Sequence, residues 1–171
     1  MGMGVELKLS THFDLEEFLP AGVVASDVPV DVLKNLQTLA ETILEPVREH
    51  YNVPVSIHSG WRPPAKNTAT GGAVHSDHLT GCAADFHVSD SDLSPWETNT
   101  LSAFDWIRTA LDGAYGQLIR EDHRRHYGDP GKLWVHVAIP TAKHPGIVGD
   151  PNRVLISPAP KQFEPWRGNG A

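Results

Sequence analysis

Apolar residues recur at three- and four-residue steps in two long stretches of the chain, and this spacing predicts two amphipathic helices. The first covers residues 29–50, and the second covers about 95–112. Pro46 lies inside the first stretch, so we expect the last turn of that helix to be kinked or interrupted. A short capped helix is predicted over residues 10–18.

Alternation of apolar and polar residues predicts four strands. They cover residues 53–58, 82–88, 116–121 and 133–140. The first two are separated by a segment rich in Gly, Pro, Thr and Asn, which is typical of a long functional loop. Because the helices are grouped rather than alternating with the strands, the pattern favours an α+β fold. We expect a small, mainly antiparallel sheet with helices packed on one side.

The length of the chain fits one domain. Its 171 residues suffice for one core, and 40% hydrophobic with 20% charged residues is typical of an ordinary globular protein. We predict an N-terminal extension over residues 1–8 and a domain over 9–140. Residues 141–171 are predicted to form a Pro/Gly-rich tail, wrapped on the surface or partly disordered.

Charge and cysteine content narrow the function classes. The net charge is -7 and no run of Lys or Arg occurs, which argues against nucleic-acid binding. No apolar run is long enough for a signal peptide or a membrane span, so we expect synthesis in the cytoplasm and no membrane partner. Cys82 is the single cysteine, so any metal must be held by carboxylates and by some of the ten histidines.

Strand periodicity singles out two polar residues as candidate ligands. His136 alternates with valines in the strand over 133–140, and Asp85 lies opposite the apolar face of the strand over 82–88. A carboxylate and an imidazole raised from neighbouring strands can meet at one cation.

His78 lies seven residues before Asp85, which would put the two on opposite faces of one continuous strand. A turn at Gly81 would bring His78 to the same place from the end of the loop. Taken singly, each position also fits a plainer interpretation, in which the histidine is solvated and Asp85 is an ordinary surface carboxylate.

Three motifs in order resemble a known family. They are SGWRPP at 59–64, SDHLTGCAAD at 76–85 and WVH at 134–136. Together they are similar to the zinc D-alanyl-D-alanine carboxypeptidase family, in particular to its phage and bacterial subgroup. The resemblance covers about residues 9–140. It implies the fold that this family shares with hedgehog signalling domains.

The resemblance also implies roles for individual residues. His78, Asp85 and His136 would bind one zinc ion per chain, and Arg62 and Ser76 would hold a carboxylate or carbonyl of the substrate. Two histidines and one carboxylate leave a fourth zinc position open, as in catalytic sites. The planar guanidinium of Arg matches a carboxylate. The plainer role of Arg62 is a salt bridge that stabilises the loop, and the plainer role of Ser76 is that of a turn residue.

The expected general base is missing from its usual place. Many relatives have Glu, Asp or His two or three residues before the last zinc histidine, where this chain has Trp134 and Leu133. We predict Glu121 as the base, because a hairpin between the last two strands would put it on the face of His136. The alternatives lie in the following loop: Asp122, His123, His126 and Asp129.

The leading hypothesis from the resemblance is a zinc peptidase that cuts peptidoglycan stem peptide, as a D-Ala carboxypeptidase or an endopeptidase. It would act at the cell wall, in the periplasm or in a phage particle, with other virion proteins as further partners. A non-catalytic, zinc-stabilised structural module is the alternative. A metal-free binding domain is a third, weaker interpretation.

Overall fold

The computed structural model describes residues 7–167 and has the α+β fold expected from the sequence. Six strands form one mixed sheet in the order β1-β2-β4-β3-β5-β6. The strands are β1 Val55–Ser59, β2 Ala83–Val88, β3 Gln117–Asp122, β4 Leu133–Ala138, β5 Val154–Ala159 and β6 Gln162–Pro165. The helices are α1 Val30–Leu39, α2 Glu45–Tyr51, α3 Pro64–Ala69, α4 Trp96–Ala110 and α5 Arg124–Tyr127.

The first long helix is interrupted just before Pro46, and its last turn, for which the sequence predicts a kink or an interruption, is intact. A π-helical segment, Ala40–Leu44, separates α1 from α2, and Pro46 lies in the first turn of α2. Proline has no N–H for the helical ladder, so the chain widens into a π turn just before it. The apolar stripe nevertheless continues through the interruption, because Leu36, Ile43 and Val47 are all fully buried.

One face of the sheet forms the core. Phe86 of β2 and Val135 of β4 are fully buried, and so is Phe104 of α4, which packs on this face. Asp85 and His136 alternate with these residues and therefore lie on the opposite face. The sheet thus separates an apolar layer from a polar one.

The pairing register brings the candidate residues into one row. β2 and β4 are antiparallel, with Asp85 opposite His136. β3 and β4 form the hairpin that the sequence predicts, with Ile119 opposite His136 and Glu121 opposite Trp134. Ile119 lies directly opposite His136 and on the same face of the sheet. Glu121 follows Ile119 by two residues along β3, so it lies on that face too.

The C-terminal segment differs from the prediction of a surface tail. β5 pairs in parallel with β3, with Ser157 opposite Glu121, and β6 pairs with β5. The sequence pattern misses these strands because the segment is rich in Pro and Gly and because parallel pairing with β3 is not local. Residues 1–6 and 168–171 lie outside the described part, so most of the predicted extension 1–8 does too. The domain boundaries stay a prediction.

The segment near the N-terminus and the loop after β1 each contain short helical elements. The helix predicted over 10–18 is a 3-10 turn, Leu15–Phe18, which begins after Asp14. The long loop after β1 carries α3 and a second 3-10 turn, Asp77–Thr80. None of the helices within residues 7–167 has the length and apolar surface that a membrane crossing requires.

Candidate metal centre

Three buried side chains meet on the polar face of the sheet. His78 Nε2 lies 3.2 Å from Asp85 Oδ1 and 3.2 Å from His136 Nδ1, and His136 Nδ1 lies 2.8 Å from Asp85 Oδ1. The exposed fraction is 2% for His78, 8% for Asp85 and 8% for His136. The two ring nitrogens and the carboxylate oxygen therefore point at one small volume.

Secondary structure explains how these residues reach each other. Asp85 and His136 are cross-strand partners, whereas His78 comes from the 3-10 turn that ends at Gly81. Gly81 has φ +72°, and a Cβ there would lie 2.9 Å from atoms of Val32. Only glycine fits this position without strain. The predicted turn at Gly81 is therefore confirmed.

The His78 ring is oriented by the backbone. Its Nδ1 lies 2.7 Å from the carbonyl oxygen of Gly60, to which it donates, so Nε2 keeps its lone pair for a cation. Gly60 packs so tightly that a Cβ there would lie 2.6 Å from Cβ of Phe18. The glycine of the SGWRPP motif thus brings a carbonyl close to the site.

Arg62 holds the other oxygen of Asp85. Its Nη2 forms an ion pair with Asp85 Oδ2, and its Nε donates to Ser59 Oγ at 2.7 Å. An irregularity in the pairing of β1, between Ile57 and Ser59, puts Ser59 opposite Asp85. Arg62 thereby orients the carboxylate whose Oδ1 faces the histidines. A substrate role for Arg62 stays a prediction.

The electrostatics of the cluster favour an ionised carboxylate. Burial alone would raise the pKa of Asp85, but the rings of His78 and His136 outweigh it and hold that pKa well below its usual range. The group is therefore ready to bind a cation without first losing a proton.

The donor set fits a divalent metal. Within residues 7–167, His78, Asp85 and His136 form a group of three side chains whose ligand atoms lie close enough together to bind one ion. Tetrahedral zinc with bonds of about 2.0–2.2 Å separates its ligand atoms by roughly 3.3–3.6 Å. The observed separations of 2.8–3.2 Å are close to that range. Three protein ligands also leave one position open.

Glu121 shares the cleft with this group. Glu121, His78, Asp85 and His136 line a single cleft of about 1130 Å³. Burial and the nearby Asp85 carboxylate raise the pKa of Glu121, and a hydrogen bond from the Trp134 side chain opposes that shift. A carboxyl group with a raised pKa keeps its proton to higher pH than an ordinary Glu, which suits it to proton exchange.

His123 links Glu121 to β5. The Ser157 hydroxyl donates to the Ala159 carbonyl at 3.0 Å, so its oxygen accepts from His123 Nε2 at 2.9 Å. The same nitrogen lies 3.4 Å from Glu121 Oε2. Burial lowers the pKa of His123 and so favours its neutral form.

The other alternative bases have different partners. Arg124 binds both carboxylate oxygens of Asp122 at 2.7 Å, and Asp129 accepts from the backbone of Gly131. His126 is exposed and packs against Tyr127, within the same short helix. Of the loop candidates, only His123 contacts Glu121 in the part of the chain that is described.

Ser76 shapes the turn that carries His78. It caps the 3-10 turn, where its Oγ accepts from the backbone N–H of His78 at 3.4 Å. It also lines the same cleft as Arg62. Its position is compatible with the predicted contact to substrate, which stays a prediction.

Residues 12–114, more than half of the chain, match the family described as Peptidase M15. The chain belongs to the Peptidase M15 family. Members of this family are zinc-dependent, D-Ala-D-Ala carboxypeptidase-like peptidases, which confirms the resemblance at the level of the family. No curated protein matches the chain.

The Peptidase M15 match covers only part of the site. His78 and Asp85 lie inside it, whereas Glu121 and His136 lie beyond its end. Ser157, which no motif or periodic pattern marks as part of the site, lies further still. Only the short apolar run at the start of β5 could have indicated that this segment reaches the site.

Proposed function

We propose that this Peptidase M15 member hydrolyses a peptide bond in peptidoglycan stem peptide with one zinc ion bound by His78, Asp85 and His136. The observation that carries the proposal is the convergence of these three donors in a cleft that also holds Glu121. The bond is either the terminal D-Ala bond or one within the peptide. The protein would act at the cell wall, in the periplasm or in a phage particle, where virion proteins would be its partners.

The residues of the cleft divide the chemical work. A zinc ion held by His78, Asp85 and His136 would supply a more acidic water and a polarised scissile carbonyl. Glu121 accepts a proton from the attacking water and passes it to the leaving amine. Trp134 lies opposite Glu121 across the two strands, and its side chain opposes the rise in the pKa of that carboxyl. Ser76 and the free edge of the Arg62 guanidinium bind a carbonyl or carboxylate of the peptide.

The charge of the cleft wall supports an anionic peptide as substrate. Although the chain has a net charge of -7, five basic residues line the cleft. They are Arg62, Lys66, Lys132, Lys143 and Lys161. Stem peptides carry several carboxylates, and a basic cleft attracts such ligands and speeds their association.

A non-catalytic zinc module is the second candidate. It is favoured by Leu133 and Trp134, which occupy the positions where a base often precedes the last ligand. The raised pKa of Glu121 and its place in the cleft support the enzyme instead.

Digestion of purified peptidoglycan tests the proposal. The zinc-loaded protein should release free D-Ala or new amino termini, identified by mass, and Glu121→Gln should lose at least a hundredfold in rate. Glu49→Gln is the matched control, because Glu49 is an exposed carboxylate on α2. If the wild-type protein binds zinc but releases no product, the non-catalytic module is correct.

A further inference from the structure

The opposite face of the sheet carries a second cavity, of about 710 Å³, where β3 ends. Arg120 alternates with Ile119 and Glu121 along β3, so its side chain lies on the face away from the metal ligands. The cavity is bounded by Arg120, Asp122, Arg124, Arg125, Gly128, Pro130, Ile156, Ser157 and Pro158. A cavity of this size can hold a small molecule or one group of a larger one.

The half-buried Arg120 has one buried polar atom without a partner. Its Nε is buried and has no hydrogen-bond acceptor among the described residues. Its Cζ lies 5.7 Å from the ring centroid of Phe104, which is fully buried. An aromatic ring beside a guanidinium stabilises its positive charge, but the ring is not a conventional hydrogen-bond acceptor for the N–H groups. A buried polar group without a partner in the protein calls for another one, such as a water, an ion or a ligand.

The neighbouring carboxylate is already engaged. Asp122 is bound on both oxygens by Arg124, through Nε and Nη2 at 2.7 Å each. Arg125 is exposed at the rim of the cavity. Three guanidinium groups border the cavity together with one carboxylate, and Glu97 also acts on Arg124 electrostatically, which leaves an excess of one positive charge in a chain whose net charge is -7.

We propose that this cavity, here called the Arg120 site, binds a phosphate group. The excess of positive charge at the cavity attracts an oxyanion, and the planar fork of Arg120 suits the geometry of a phosphate group. Arg125 adds a second contact from the rim. The phosphate belongs either to a free metabolite or to a polymer such as those of the cell wall. The site is independent of the proposed peptidase activity.

Calorimetric titration of the zinc-loaded protein with inorganic phosphate tests this inference. We expect saturable binding with a Kd on the order of 1 mM, at least tenfold weaker in Arg120→Gln, and much weaker binding of acetate at the same ionic strength. Arg48→Gln, which removes the same charge from α2, should bind like the wild-type protein. Undiminished binding by Arg120→Gln, or equal binding of acetate, overturns the proposal.

Two further variants distinguish the Arg120 site from a loss of fold and from phosphate binding at the metal centre. Arg125→Gln changes an exposed residue, so it should weaken phosphate binding without affecting the fold even if Arg120→Gln proves unstable. His78→Ala removes a candidate metal ligand and should keep full phosphate binding. Loss of binding in His78→Ala would assign the phosphate to the metal centre and contradict the Arg120 site. A phosphorylated polymer that binds more tightly than inorganic phosphate would identify the source.

Discussion

Asp85 and His136 face each other directly across β2 and β4, and Asp85 Oδ1 lies 2.8 Å from His136 Nδ1. This pairing places two of the three candidate ligands on hydrogen-bonded neighbouring strands of the sheet. Only His78 depends on a turn, which Gly81 and the Gly60 carbonyl hold in place. The metal centre is therefore built mainly from the sheet rather than from the loops.

Removal of one ligand should abolish metal binding. We expect the wild-type protein to contain one zinc per chain by elemental analysis and His78→Ala to contain almost none, because two remaining ligands bind zinc weakly. His126→Ala is the matched control, since His126 is exposed and outside the cluster. Retention of stoichiometric zinc by His78→Ala would contradict this assignment of ligands.

Arg62 should affect the metal as well as the substrate. Its ion pair with Asp85 orients a ligand, and loss of such supporting contacts typically weakens metal binding by about 10- to 100-fold. We expect this loss of zinc affinity in Arg62→Gln, measured by competition with a chelator. Lys66→Gln removes a charge from the same cleft without contacting Asp85 and should bind zinc normally. Unchanged zinc affinity in Arg62→Gln would leave only the substrate role.

Glu121 should make the metal-free protein less stable as pH rises. Its pKa is raised above the ordinary 4.5, chiefly by burial, so the unfolded protein releases this proton more readily than the folded one. Stability from the protonated group is present below pH 4.5 and is lost as pH rises through the raised pKa. Glu121→Gln cannot ionise, so its thermal unfolding temperature should exceed that of the wild-type protein more at about pH 8 than at about pH 4.

The exposed carboxylate of Glu49 provides the control for this pH dependence. Glu49→Gln should change the unfolding temperature by a similar amount at both pH values. A gain in Glu121→Gln that does not grow with pH would contradict the raised pKa.

Ser157 should stabilise the region around the proposed base. Ser157→Ala removes the closest partner of the buried His123 Nε2 and leaves it with Glu121 Oε2 at 3.4 Å, and the loss of one hydrogen bond costs about 0.5–1.5 kcal/mol. We expect the free energy of unfolding in urea to fall by that amount. The exposed Ser26→Ala should change it little. If both variants unfold alike, the contact between His123 and Ser157 contributes nothing to stability.

Local patterns predict the sheet part of the site well. Alternation alone assigns Asp85 and His136 to the polar face, and antiparallel pairing of the consecutive strands β3 and β4 puts Glu121 on that face too. These inferences succeed because a strand has a period of two and a hairpin constrains its own register.

Contacts between distant segments are harder to predict. The ion pair of Arg62 with Asp85 depends on an irregularity in β1, and the bond of His123 to Ser157 depends on a parallel strand that follows a Pro/Gly-rich stretch. Neither has a periodic signal in the sequence, because each arises from long-range pairing.

Zinc titration of the chelator-treated protein, with peptidoglycan product release as the readout, tests the central claim most directly. The release of D-Ala or new amino termini should be absent without metal, rise with added zinc and level off at one zinc per chain. Product release by the metal-free protein, or none at any zinc level, would contradict a zinc peptidase built on His78, Asp85 and His136.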